Sequence, residues 1–142
     1  MAVAVERIQH RTLHPVHAFL LAATVPLFLA TLLADAAYGS TYQVQWTNFP
    51  SWLNVGGLLF GGLTLLFALL GLRHSALRRG RYLAYVLLVL AMWVLGFFNA
   101  LVHAKDAWAA MPEGLVLSVI VALLACVAAW LGFSSLHTGD TP

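Results

Sequence analysis

Four apolar runs, each long enough to cross a lipid bilayer, constrain this chain more than any other feature. A spanning helix needs about 20 mostly apolar residues. Four segments qualify, at about 15–37, 51–72, 81–103 and 112–136. No continuous alternating pattern competes with them, and an open sheet would leave its backbone unsatisfied in lipid. The expected fold is therefore all-α: an integral membrane four-helix bundle formed by a single domain over residues 1–142. Charge content agrees. Only 8% of the residues are charged, against roughly 25% in soluble domains, too few to cover a water-facing surface.

Local chemistry marks the helix ends. Pro15 suits a first helical turn, with His14 just outside it. Pro50 and Ser51 open the second span, and Pro112 with Glu113 opens the fourth, where an acid meets the positive end of the helix. Pro26, inside the first span, is expected to kink it. The start resembles a secretory signal, with Arg7 and Arg11 before an apolar run and Ala34-Asp35-Ala36 after it. The run exceeds the ~7–15 residues of a signal core, so it reads as the first span.

Arginine placement predicts orientation. Arg73, Arg78, Arg79 and Arg81 crowd the link between spans two and three, and Arg7 and Arg11 precede span one. The other two links carry Lys105 against Asp35, Asp106 and Glu113. The positive-inside rule then puts both termini and the Arg-rich link in the cytoplasm (N-in, C-in). Tyr38, Tyr42, Trp46, Trp52 and Trp108 would form an outer aromatic belt, and Tyr82, Tyr85 and Trp130 an inner one. Residues 38–50 read as an outer aromatic loop lying over the bundle.

Helical spacing gathers small and polar residues into stripes. Asn54, Gly57, Gly61, Thr64, Ala68 and Gly71 share one face of span two. Ser118, Ala122, Ala125, Ala129 and Gly132 do so on span four. Met92, Gly96, Asn99, His103 and Asp106 line span three, and His17, Thr24, Thr31 and Asp35 line span one. Such stripes face neighbouring helices, because small residues allow close approach and polar groups seek partners. Gly57, Gly61, Thr64, Ala122 and Ala125 are the expected packing positions. The same small residues also suit a flat cofactor, a quinone or a lipid. Cys126, the single cysteine, excludes an internal disulfide and a CxxC metal site.

Five of the six histidines, His10, His14, His17, His74 and His137, fall on the predicted inner side. His14 and His17 are three residues apart on one helical stretch, and neutral imidazole ligates haem iron, zinc or copper. His17 and His103 are the candidate metal ligands. His14, His17, Asn99 and His103 are the candidate contacts for a haem b or a quinone. His17 and His103 lie on opposite membrane sides, so straight helices keep them from a common metal. At the outer side, His103 with Asn99, Asp106 and Asp35 forms a polar cluster. It reads as a proton relay, a quinone contact, an external metal ligand, or a His–Asp clamp between spans one and three.

The run LHPVHAFLLAATVPLFLATLLADAAYGSTYQVQW and the later FFNALVHAKDAWAAMPEGLVLSVIVALLA resemble a bacterial family of small four-helix inner-membrane proteins known only as a domain of unknown function. The matching positions are His17, Pro26, Asp35, Asn99, His103, Asp106 and Trp108. The resemblance implies a multi-pass protein of the bacterial inner membrane. It also implies a redox setting, because members are often encoded near sorbosone-type sugar dehydrogenases and c-type cytochrome modules.

Three functions compete. The first is a redox-associated membrane subunit or anchor, linked by haem or quinone to a periplasmic dehydrogenase or cytochrome. The second is a cofactor-free structural or assembly subunit. The third is a small transporter or a channel formed by an oligomer. Partners would be the lipid bilayer and a homo- or hetero-oligomeric protein, with no nucleic acid, since no nucleic-acid motif or phosphate-binding Gly loop occurs. No acid–base pair with a substrate pocket is evident, so stand-alone enzymatic activity is not expected.

Overall fold

The computed structural model describes residues 13–72, 80–105 and 107–134. Within them lie four long helices: α1 (Pro15–Thr41), α2 (Gln45–Leu72), α3 (Gly80–His103) and α4 (Glu113–Ser134). A short 3₁₀ turn, Ala107–Ala110, precedes α4. All four helices are long and apolar enough to cross a membrane, and the described residues contain no strand. The all-α four-helix reading therefore holds. Arg7, Arg11, Arg73, His10, His74, Asp106 and His137 fall outside the described residues, and with them most of the charge pattern that predicts orientation.

The helices extend further than hydropathy suggests. The sequence reading makes 38–50 a loop, but only Tyr42, Gln43 and Val44 separate α1 from α2. Hydropathy detects the solvent of a side chain, whereas a helix continues wherever its backbone bonds to itself. Tyr38, Ser40 and Thr41 are too polar to score as a span, yet they complete α1. Tyr42 ends it in the left-handed conformation with its N–H donating to the Tyr38 carbonyl at 2.8 Å. Pro50 lies inside α2 rather than opening it. At the other end of α1, the His14 side chain caps the helix by accepting the Val16 N–H at 3.3 Å, with Pro15 in the first turn. The helix runs unbroken through Pro26.

α1 packs beside α2 and α4, and α3 packs beside the same two helices. α1 and α3 thus run parallel across the diagonal of the bundle. The end bearing the start of α1 is called proximal below. The end bearing the α1–α2 and α3–α4 connections is called distal.

Lipid-facing apolar side chains gain nothing from burial in protein, so contact and hydrogen bonding hold these helices together. Phe28 of α1 reaches across the centre and packs on both Gly57 and Gly96. A Cβ on Gly57 would stand 2.6 Å from its ring. Leu21 fills the equivalent space over Gly132, and Met92 and Trp93 cover Gly61. The glycine stripes are therefore occupied by neighbouring side chains. Three side-chain donors cross-link α2 and α3: Asn54 Nδ2 to the Gly96 carbonyl, Trp93 Nε1 to that of Leu58, both at 3.1 Å, and Tyr82 Oη to that of Ala68 at 2.8 Å. Buried Thr24, Thr31 and Thr64 donate to carbonyls three or four residues back in their own helices, which satisfies a hydroxyl without a partner helix.

Candidate functional site

Two polar pairs bridge the α1–α3 diagonal. At the proximal end, His17 Nε2 and Tyr85 Oη share a hydrogen bond of 2.8 Å. At the distal end, His103 Nε2 lies 2.8 Å from Asp35 Oδ1. The register is simple. His17 to Asp35 on α1 and Tyr85 to His103 on α3 are both steps of 18 residues, which is five turns of 3.6 residues. Each helix therefore presents both of its bridging residues along one line. The two pairs lie ~27 Å apart at 1.5 Å per residue. Between them the axis is filled by Leu21, Phe28, Val89, Met92 and Val121, all buried.

The distal pair is the richer one. The His103 side chain is 4% exposed and that of Asp35 is 0% exposed, so water screens neither. Asp35 Oδ2 accepts the Ser118 hydroxyl at 2.5 Å. Ser118 Oγ in turn accepts from Asn99 Nδ2 at 2.9 Å. His103 Nδ1 lies 2.8 Å from the Asn99 carbonyl, one turn earlier in α3. Gly114, at the start of α4, seats the imidazole: a Cβ there would stand 3.1 Å from His103 Cε1. Three helices thus converge, with Asp35 from α1, Asn99 and His103 from α3, and Gly114 and Ser118 from α4.

Hydrogen-bond chemistry fixes most of the protons. A backbone carbonyl only accepts, so His103 Nδ1 carries a hydrogen. Ser118 has its one hydrogen directed at Asp35, so it receives from Asn99. A single proton then lies between His103 Nε2 and Asp35 Oδ1. On the nitrogen it makes an imidazolium–carboxylate pair, and on the oxygen an imidazole–carboxylic acid pair. Either way the unit is neutral overall, as a group away from water must be unless its charges are paired.

His103 and Asp35 also line a cavity of about 270 Å³ at the distal end. Its other walls come from the end of α1 (Tyr38), the start of α2 (Thr47, Asn48, Ser51) and Lys105 after α3. The Lys105 ammonium lies 3.4 Å from the Glu113 carboxylate in an exposed ion pair. The extended helix ends, which hydropathy alone cuts short, are what enclose this space.

The family-model comparison adds one decisive match: residues 13–137 fit the family described as predicted membrane protein (DUF2231). The chain belongs to the DUF2231 family. It is accordingly a multi-pass membrane protein, with four candidate spans in the structure. No curated protein and no solved structure matches it.

In this DUF2231 chain the sequence-selected residues separate into two places. Asp35, Asn99 and His103 come together distally, while Asp106 lies outside the described residues. His14 and His17 lie proximally, with the His14 ring stacked on Phe67 at 6.3 Å and His17 turned inward to Tyr85. Gly57, Gly61, Thr64, Ala122 and Ala125 are buried between helices. Ser118 and Gly114 escaped the sequence reading as site residues. A serine or glycine in a small-residue stripe carries no signal separating packing from chemistry. Only its height, opposite Asp35 and His103, points to a polar role.

The two candidate metal ligands, His17 and His103, stand apart in the fold. The Nε2 atoms of His17 and His103 both face protein partners, the two rings lie at opposite ends, and the small-residue stripes are filled by Phe28, Leu21 and Met92. Among the described residues no group of three His, Cys, Asp or Glu side chains could hold a metal ion.

Proposed function

We propose that this protein is a redox-associated membrane subunit that receives the headgroup of a quinone at its distal end and anchors a dehydrogenase or cytochrome there. The carrying observation is the one-proton His103–Asp35 pair in the wall of the cavity. A volume of about 270 Å³ lies just below the ~300 Å³ at which pockets begin to hold drug-sized ligands. That suits a single-ring headgroup and is too small for a macrocycle. His103, Asp35 and Tyr38 would hold the headgroup. A bound quinone supplies two-electron, two-proton chemistry. The chain's own part is to keep an exchangeable proton at His103 Nε2 and Asp35 Oδ1, in a setting where a hydrogen bond is stronger than in water. On the orientation that the arginine pattern predicts, the distal end is the outer one, which suits a periplasmic partner.

The test is a titration of the full-length protein in nanodiscs with a short-chain quinone, read by intrinsic fluorescence. Saturable binding that is lost on filling the cavity with Ser51→Phe is expected. Absence of saturable binding to the wild type overturns the proposal.

A second reading rests on a specific observation as well: Asp35, Ser118 and His103 all find their partners within the chain. On that reading the cluster is a clamp in a cofactor-free assembly subunit. It predicts that His103→Ala lowers thermal stability while quinone binding is absent throughout. A channel along the axis of one bundle draws no support, because Leu21, Phe28, Val89, Met92 and Val121 fill that axis.

A further inference from the structure

Two buried oxygens remain to be explained. Asn54 Oδ1 and Asn99 Oδ1 have no hydrogen-bond donor among the described residues, although both side chains are fully buried. Turning the amides around does not help. Asn54 points its nitrogen at the Gly96 carbonyl, which can only accept. Asn99 points its nitrogen at Ser118 Oγ, whose own hydrogen is directed at Asp35. Reversing either amide would set oxygen against oxygen at Gly96, or leave an N–H orphaned at Asn99. The oxygens are therefore the ends that need donors.

Neighbouring donors are already committed. Ser51 donates to the Thr47 carbonyl, Trp93 Nε1 to that of Leu58, and Thr31 to that of Leu27. The two asparagines are also close in the fold. Asn54 is bonded to Gly96, one turn before Asn99 on the same helix. Both lie about one turn beneath the floor of the distal cavity: Asn54 is three residues after Ser51, and Asn99 four residues before His103. Buried polar groups almost always find a partner, and ordered water supplies it where protein does not.

We infer that a buried water site lies at this level of the bundle, with water hydrogens donated to Asn54 Oδ1 and Asn99 Oδ1. The site belongs to water specifically, because the two acceptors ask for hydrogens and the Ser51, Trp93 and Thr31 donors are committed elsewhere. It lengthens the distal polar cluster inward by one turn. It ends there, against Phe28, which packs over Gly96 at the next level. A hydrogen donated to Asn99 Oδ1 also polarises the amide whose N–H meets Ser118, strengthening the chain that ends on Asp35. The site is independent of whether the cavity takes a quinone.

Two measurements on the full-length protein in nanodiscs decide it. A density map that resolves ordered solvent is expected to show a peak within hydrogen-bonding distance of both oxygens. Ordered asparagines with no such peak would overturn the inference. X-ray hydroxyl-radical footprinting reads the same site without a map, because radicals formed from a buried water label the side chains beside it. Phe28, only 1% exposed, is expected to be labelled in the wild type, with the label falling to background in Asn54→Leu/Asn99→Leu. Equal labelling of Phe28 in the two proteins, or none in either, would also overturn it. The wild-type map does not depend on how well the variant folds.

Discussion

The proximal and distal ends of this bundle use the same pair of helices, at the same register, for different purposes. His17–Tyr85 and Asp35–His103 each join residues 68 positions apart. The proximal pair is an imidazole and a phenol among aromatic rings: Phe67 and Tyr85 lie 5.8 and 6.0 Å from the His17 ring. The distal pair contains a carboxylate, continues through Ser118 to Asn99, and faces a cavity. The difference shows that a diagonal bridge is an architectural device, and that chemistry depends on what surrounds it. A phenol among rings gives a clamp. A carboxylate with two partners, His103 and Ser118, and an open wall is the setting on which the proposed proton exchange rests.

That contrast can be broken by substitution. The largest effect is expected for His103→Leu, which leaves the Asp35 carboxyl buried without its imidazole. Removing one partner of a buried pair costs ~3 kcal/mol or more, readable as a lowered thermal midpoint in detergent. A midpoint that stays put would mean the distal pair contributes no more than the proximal one. Gly114→Ala should come next, at ~2 kcal/mol, within the usual range for overpacking. The added Cβ presses on an imidazole held at both nitrogens, so the ring cannot yield without stretching a hydrogen bond. Its proximal counterpart, Gly132→Ala, sharpens the comparison. There the clash is with a terminal methyl of Leu21 and the edge of Tyr85, so the cost should be smaller unless Leu21 is as rigidly held as His103.

Tyr85→Phe removes one hydrogen bond between neutral groups and keeps the ring. Membrane double-mutant cycles place such bonds near 0.6 kcal/mol on average, so a loss of about that size is expected. A loss matching that of His103→Leu would erase the distinction between the ends. The smallest effect belongs to Lys105→Ala, which deletes an exposed ion pair with Glu113. Exposed pairs contribute roughly 0–1 kcal/mol, and raising the salt concentration should remove even that.

The four helices were legible in the sequence because lipid imposes a length and a polarity on anything that crosses it. Their ends were not. Tyr38 and Thr47 are helical for reasons internal to the backbone, which hydropathy does not report, and this is why the walls of the distal cavity were read as a loop. The polar residues were legible as types and depths. Asp35, Asn99 and His103 could be set at one level from spacing alone. Their pairing could not be read, because helical spacing gives the face of each residue but not which helix lies opposite. Ser118 shows the limit most clearly: between Gly114 and Ala122 it looks like one more small residue, and only the folded bundle aims its hydroxyl at Asp35.

The shared step of 18 residues on α1 and α3 also limits how this protein can deform. Sliding one helix along the other by even part of a turn would break the bond at both faces together, so the diagonal acts as a strut of fixed length, ~27 Å between its pins. The hydrocarbon thickness of a bilayer is ~30 Å and differs by a few ångströms among membranes. A bundle pinned in this way meets a thicker or thinner bilayer by tilting as one block or by deforming the lipid around it, because its helices have lost the freedom to shift past each other.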